Sequence, residues 1–237
     1  MIPPAIFVLT GAGLSAESGL GTFRDTDGIW AKFRVEDYAT PEAFERNPLK
    51  VLDFYNTRRR GLMAAQPNAA HDALAALQLG WGRRNGSVTL CTQNIDDLLE
   101  QAGAVEVIHM HGELKKALCL HCDARSPCES DITVDQKCLV CGEAGGMRPD
   151  VVWFGEMPYH MDEIHERLRF ADLFVAIGTS GSVYPAAGFV QAARAAGIPT
   201  LEINLEPPEN ATAFHAARYG FATQEVPVWV AEMFATL

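Results

Sequence analysis

Ala5-Ile6-Phe7-Val8-Leu9-Thr10-Gly11-Ala12-Gly13-Leu14-Ser15-Ala16 is an apolar run that breaks into a G-x-G-x-x-A turn. Near-continuous apolar character without alternation suits a parallel strand covered on both faces. Glycines at the turn permit a tight bend and close approach of backbone to a pyrophosphate, whose charge then sits at a helix N-terminus. Glycine-rich turns also occur in plain loops. The position directly after an apolar strand favours a dinucleotide site.

Four further runs read as strands of the same kind: Ser87–Gln93, Val105–Met110, Leu173–Gly178 and Pro199–Leu205. Helical stretches lie between them. One starts at Pro67-Asn68 and carries Ala69, Ala73, Leu74 and Leu77 on one face; another covers Pro185–Ala196 and ends at Gly197 ahead of Pro199. Strands alternating with helices predict an α/β fold with a Rossmann-like, doubly wound parallel sheet. Residues 25–66, polar and helix-like, and residues 114–149, with five of the six cysteines, break that rhythm. The expected division is a dinucleotide-binding domain of residues 1–24, 67–113 and 150–237. A helical insert (25–66) and a cysteine-rich insert (114–149) would pack together as a small domain beside it.

Composition narrows the partners. With 237 residues, 48% hydrophobic and 21% charged, the profile is that of an ordinary globular chain. A formal net charge of −11 disfavours nucleic acid and anionic membranes. No run approaches the roughly 18–20 apolar residues that span a bilayer, and Met1-Ile2-Pro3-Pro4 lacks the basic start of a secretory signal. The expectation is a cytoplasmic monomer whose cysteines are thiols or metal ligands.

Cys119-Leu120-His121-Cys122 and Cys138-Leu139-Val140-Cys141 are two C-x-x-C pairs separated by fifteen residues. Four thiolates at this spacing can close a tetrahedral shell around zinc, leaving no open position for catalysis, so the metal is expected to be structural. His121 reads as a surface residue, Cys128 as a loop thiol and Cys91 as core. A competing reading is a zinc ribbon for nucleic acid, with Lys115, Lys116, Arg125 and Lys137 as its cations.

An ordinary dehydrogenase holds the adenosine ribose with an acid about 20 residues beyond the glycines. Here that stretch is Gly28-Ile29-Trp30-Ala31-Lys32-Phe33, which argues against hydride transfer. Polar groups gather instead after the next strands: Gln93-Asn94-Ile95-Asp96-Asp97 and His109-Met110-His111-Gly112-Glu113. Ligands bind outside the carboxyl ends of strands in open α/β sheets. Each residue also has a plain alternative: Gln93 and Asn94 as turn residues, Asp96 as a helix cap, one histidine as a structural group.

In order along the chain, Gly11-Ala12-Gly13 with Ser15, Phe23-Arg24, Gln93-Asn94-Ile95-Asp96, His111-Gly112, the cysteine quartet, Phe154-Gly155-Glu156, Gly178-Thr179-Ser180 and Ile203-Asn204 resemble the sirtuins. The match runs from about Phe7 to Asn204. Sirtuins are NAD-dependent protein-lysine deacylases with a Rossmann-like domain and a zinc-bearing insert. The resemblance implies that Gly11, Ala12, Gly13, Glu17, Phe23 and Arg24 surround the NAD phosphates and the nicotinamide ribose. It implies a nicotinamide pocket of Gln93, Asn94 and Asp96, and an adenosine site of Gly178, Thr179, Ser180, Ser182 and Asn204. His111 would be the general base and His109 the structural histidine. Acylated-lysine proteins would bind as an added strand between Val151–Gly155 and Gly181–Tyr184, with Val152, Phe154, Gly155 and Val183 at the substrate. Nicotinamide, free lysine and O-acyl-ADP-ribose would be the products. Protein mono-ADP-ribosyl transfer is the alternative use of the same NAD cleavage.

Tyr55 and Arg58 stand at i and i+3 of a predicted helix, where a phenol and a guanidinium can bind a carboxylate. In the family such a Y-x-x-R pair marks the branch that removes succinyl and malonyl groups as well as acetyl. The plain alternative is a solvated basic run, because Arg59 and Arg60 follow. Gly21 stands where many relatives have proline, and is expected to loosen the cofactor loop.

Overall fold

In the computed structural model of the chain, residues 4–21, 34–208 and 211–236 are described. Chain order runs β1 (Ala5–Thr10), α1 (Pro41–Arg46), α2 (Pro48–Ala64), α3 (Ala69–Gly82), β2 (Ser87–Thr92), α4 (Leu98–Gln101) and β3 (Ile108–His109). It continues with β4 (Gly112–Cys119), β5 (Arg125–Pro127), β6 (Met147–Val151), α5 (Met161–Arg169), β7 (Leu173–Ile177), α6 (Phe189–Ala195), β8 (Thr200–Asn204), β9 (Ala216–Tyr219) and α7 (Ala222–Ala235). Six strands form one parallel sheet in the order β3-β2-β1-β7-β8-β9; three form an antiparallel sheet in the order β5-β4-β6.

Helix starts follow local chemistry. Thr40 and Asn47 each accept a backbone N–H with their side-chain oxygen, and each is followed by proline at the first helical position. Asn68 caps α3 through the Ala70 N–H, while its own N–H donates to His71 Nδ1. Both faces of the parallel sheet are covered. Ile6, Val8, Leu90 and Val175 pack with Leu74, Trp81 and Trp229 on one side; Phe7, Leu9, Cys91 and Phe174 pack with Ile164, Leu168 and Phe189 on the other. A third apolar cluster joins the helical and cysteine-rich stretches, from Phe44, Val51, Leu52 and Tyr55 to Leu114, Ile132, Cys138 and Trp153. Asn56 seals it, accepting from the Ile132 N–H at 3.0 Å and donating to the Ile132 oxygen at 2.9 Å.

Several expectations need correction. The strand expected over Val105–Met110 is only β3, because Val105 is exposed and Glu106 has φ +51. The Pro185–Ala196 helix is a 3-10 turn at Ala186–Gly188 followed by α6. Residues 114–149 carry most of an antiparallel sheet that periodicity hides: β4 is irregular between Glu113 and Ala117, and β6 buries Arg148 and Asp150. The four-residue β9, largely exposed, was not anticipated. Single 3-10 turns, Ala12–Leu14 and Ala16–Ser18, stand where an α-helix was expected to follow Gly11.

Strand order reverses between β1 and β7, so a crevice opens at their carboxyl ends. Two glycine turns meet there. Gly11 N–H donates to the Ile177 oxygen and Gly13 N–H to the Gly178 oxygen, both at 2.9 Å. A Cβ on Gly13 would lie 2.7 Å from Gly178 Cα, and one on Gly178, at φ +62, would lie 2.6 Å from Leu14 N. These contacts are backbone on backbone and cannot be relieved by a rotamer. Gly13→Ala is expected to lower the unfolding free energy by about 1–3 kcal/mol in urea titration. Gly61→Ala, in open space within α2, should raise it by up to about 1 kcal/mol. Equal responses of the two variants would contradict the steric account.

Candidate active site and metal centre

Ser15 is the hub of the crevice's polar wall. Its hydroxyl lies 3.3 Å from His71 Nε2, 3.1 Å from Asn94 Nδ2 and 3.0 Å from Asp96 Oδ2. Only one arrangement of hydrogens satisfies all three. His71 Nδ1 accepts from the Asn68 N–H, so Nε2 bears the proton and donates to Ser15; Asn94 donates as well, leaving the Ser15 proton for Asp96. Burial pulls the His71 pKa down to about 4, which keeps the ring neutral as this order requires. Asn94 also donates to the Gly11 oxygen at 3.1 Å, tying the strand ends together. Asp96 accepts the Leu98 N–H at 3.2 Å from one position ahead of Asp97, which is the N-cap of α4. Burial raises the Asp96 pKa against these hydrogen bonds.

The two histidines differ in environment. Burial disfavours a charged His109, but the hydrogen bond and charge of Glu100, 2.7 Å away, outweigh it and raise the pKa. Burial lowers that of His111. His111 Nδ1 lies 3.0 Å from the Gln93 carbonyl oxygen. An oxygen of that kind only accepts, so Nδ1 carries the proton and Nε2 keeps a free lone pair. The Gln93 N–H donates to the Thr10 oxygen at 2.9 Å, which fixes this edge. Gln93, Thr179, Gly181 and Val183 line one small cavity together with Leu9 and Phe174.

At the carboxyl ends of β7 and β8, Asn204 Nδ2 donates to the Thr179 oxygen at 2.7 Å and contacts Glu202 Oε1 at 3.3 Å, while Asn204 Oδ1 accepts from Leu205 N–H. Ser182 donates to Ser180 Oγ through its N–H at 3.3 Å and its hydroxyl at 2.9 Å. Glu17 faces the last helix: its carboxylate accepts the Thr223 hydroxyl at 2.7 Å and N–H at 3.0 Å, capping α7. Phe23 and Arg24 lie outside the described residues, as does Gly28–Phe33.

Tyr55 is buried, and its hydroxyl accepts the Trp153 indole N–H at 3.0 Å. Burial pushes its pKa up to about 12, so the phenol stays neutral. Arg58 stands beside it, 5.9 Å from guanidinium carbon to ring centre. Burial lowers the Arg58 pKa, opposed by Tyr55 and Asp96. The basic run that follows is not uniformly solvated. Arg59 is buried and donates to the Leu114 oxygen and Asn56 Oδ1, while Arg60 pairs with Asp131.

The segment after β6 is tightly bound. Val152 N–H donates to the His111 oxygen, Phe154 N–H to the Ala39 oxygen and Trp153 N–H to Glu156 Oε2. Gly155 follows at φ +93. His71, Trp153 and the Arg148–Glu156 pair, 2.6 Å apart, were missed in the sequence. For His71 a signal existed, three residues after the cap Asn68.

The four cysteine sulfurs lie within 4.8 Å of one another, with Cys119–Cys141 at 3.8 Å and Cys122–Cys138 at 3.7 Å. Sulfurs about 2.3 Å from a central zinc form a tetrahedron with edges of about 3.8 Å. Cys119, Cys122, Cys138 and Cys141 are thus positioned to hold a zinc ion. N–H groups of His121 and Val140 point at the Cys119 and Cys138 sulfurs, each at 3.4 Å. His121 is directed away, to the Ala144 oxygen. The cations of the zinc-ribbon alternative are largely neutralised, Lys115 by Asp97, Lys116 by Glu113 and Arg125 by Asp150. Cys138→Ser should release the metal and strip amide-exchange protection from β4–β6 while β1, β2 and β7 keep theirs. Full zinc content measured in that variant would refute the assignment.

The sequence pattern of the Sir2 family matches residues 11–185. The chain belongs to that family. A protein of Caulobacter vibrioides named NAD-dependent protein deacylase is 60% identical over 98% of this chain and 98% of its own length. Among solved structures, a Sir2 homolog–NAD complex matches with a TM-score of 0.88 and 37% identity, over 98% of this chain and 90% of that one. A Sir2 complex with deacetylated p53 peptide and 3′-O-acetyl-ADP-ribose matches at 0.81 with 26% identity, over 96% and 93%. Both matches extend over the parallel sheet and the cysteine insert. Among the described residues no helix is long and apolar enough to cross a membrane.

Proposed function

We propose that this chain is an NAD-dependent protein-lysine deacylase of the sirtuin type, acting on acetyl and on the acidic succinyl and malonyl groups. One observation carries the reading. His111 stands beside the crevice with Nδ1 committed to the Gln93 oxygen and Nε2 left as a base. Gly11, Ala12 and Gly13 would hold the NAD phosphates, with Glu17, Phe23 and Arg24 nearby. Gln93, Asn94 and Asp96 would orient the nicotinamide carboxamide. Gly178, Thr179, Ser180, Ser182 and Asn204 would hold the adenosine half. As nicotinamide leaves, the acyl oxygen attacks the ribose C1′, and His111 takes a proton from a ribose hydroxyl. The substrate strand would lie along Val152, Phe154, Gly155 and Val183. Since the N–H groups of Val152 and Phe154 are already bonded, that strand would pair through their carbonyl oxygens and through Gly155 and Gly181–Tyr184.

We infer the same two-part division as the sequence predicts, with residues 25–66 and 114–149 forming the small domain. The shared apolar cluster supports it, although β4 begins at Gly112, just ahead of the proposed boundary. Convergence of four thiols supports a reducing compartment such as the cytoplasm.

His111→Ala should lower kcat about 100-fold or more while NAD still binds in calorimetry. Activity at the wild-type level would remove His111 as base. Because burial lowers the His111 pKa, its neutral fraction rises with pH through a value under the ordinary 6.5. The acid limb of kcat/KM is therefore expected to bend below pH 6.5, and a bend well above it would contradict the assignment. Tyr55→Phe with Arg58→Met should raise KM for a succinyl-lysine peptide about tenfold or more and leave the acetyl-lysine peptide within about twofold. Parallel losses on both peptides would sink the carboxylate-binding role.

A further inference from the structure

We propose that Trp153 is a positioning residue for acyl selectivity: its indole N–H, donated to the Tyr55 oxygen, turns the phenol proton toward the carboxylate of an acidic acyl group. This rests on the proposed role of Tyr55 and Arg58. A phenol can donate one hydrogen and accept others. With the Trp153 N–H at 3.0 Å filling an acceptor position on Tyr55, the phenol proton cannot point at Trp153 and is left for a different acceptor. A free tyrosine would rotate its hydroxyl among several partners, so the indole removes that freedom before ligand arrives.

The indole is itself held by its neighbours. Arg148 lies over it, with guanidinium carbon 3.3 Å from the ring centre. Arg148 is buried and fixed by Glu156 at 2.6 and 3.0 Å and by the Val151 oxygen at 2.6 Å. Glu156 also accepts the Trp153 backbone N–H at 2.7 Å. Phe44 packs against the indole, ring centres 5.4 Å apart. A cation on the face of an indole withdraws electron density and makes the ring N–H a better donor. Glu156, Arg148, Trp153 and Tyr55 thus form one continuous support, and Arg58 supplies the positive charge beside its end. An acetyl group has no carboxylate to accept the directed proton, so its turnover does not depend on the indole N–H.

The test compares KM and kcat for succinyl- and acetyl-lysine versions of one peptide, with the full-length zinc-loaded protein. Trp153→Phe removes the donor and keeps an aromatic ring. Placement of β-(3-benzothienyl)alanine at this one position removes the donor with the bicyclic shape intact, which guards against a packing defect. Both variants should raise KM for the succinyl peptide about fivefold, leave its kcat within about twofold, and leave the acetyl peptide unchanged. In a Tyr55→Phe background the same changes should have no further effect on the succinyl peptide. Equal losses on both peptides, or an undiminished effect in the Tyr55→Phe background, would overturn the inference while the reading of Tyr55 and Arg58 stands. A wild-type protein without succinyl turnover, or one indifferent to Tyr55→Phe, would overturn that reading and this inference with it.

Discussion

The meeting of two glycine turns at the reversal of strand order underlies everything the crevice offers. With Gly13 against Gly178, and Gly11 against Gly178 and Thr179, the turns after β1 and β7 approach so closely that a Cβ on Gly11 would lie 2.8 Å from the Gly178 oxygen and one on Gly13 2.7 Å from its Cα. The sequence reading assigned those glycines to a pyrophosphate. In the structure their first steric partner is the opposite turn. Close packing of the two turns sets the positions of Ser15, Asn94 and Thr179, and hence of each polar group that follows.

Ser15, Asn94, Asp96 and His71 then share a single pattern of donors and acceptors, because the Asn68 backbone settles the His71 tautomer. A network with one allowed orientation does not reorganise when a charged ligand arrives, and such preorganisation is where polar sites gain most of their effect. The same logic separates the histidines. Glu100 makes His109 a cation-favouring group, whereas a neutral carbonyl partner leaves His111 free to take up a proton. Two residues of one type, two positions apart, are pushed to opposite protonation preferences by their surroundings.

Much of this was legible in the sequence. Apolar runs located four of the six parallel strands closely, since strands buried on both faces have little freedom in composition. The cysteine quartet was equally plain, because metal ligands are fixed in type and spacing. What escaped detection were elements whose signal is non-local. β6 carries a buried arginine and a buried aspartate, each acceptable only because Glu156, Tyr159 and Arg125 lie across from it. Trp153 reads as core until Tyr55, nearly a hundred positions earlier, is placed against it. Capping of α7 by Glu17 likewise spans most of the chain. Pairings of this kind leave no periodicity to find.

Asn204 has both amide hydrogens and its oxygen engaged with Thr179, Glu202 and Leu205. An acceptor reaching Asn204 Nδ2 would exchange one bond for another and not add a new one, although Oδ1 keeps a second lone pair. The net gain in affinity at that position is then small, since each contact formed requires another to be released. A molecule that breaks the existing bonds without replacing them would leave a half-buried amide unsatisfied, which is unfavourable. Any acceptor that approaches these two hydrogens is thus discriminated more by the bonds it must replace than by the bonds it adds.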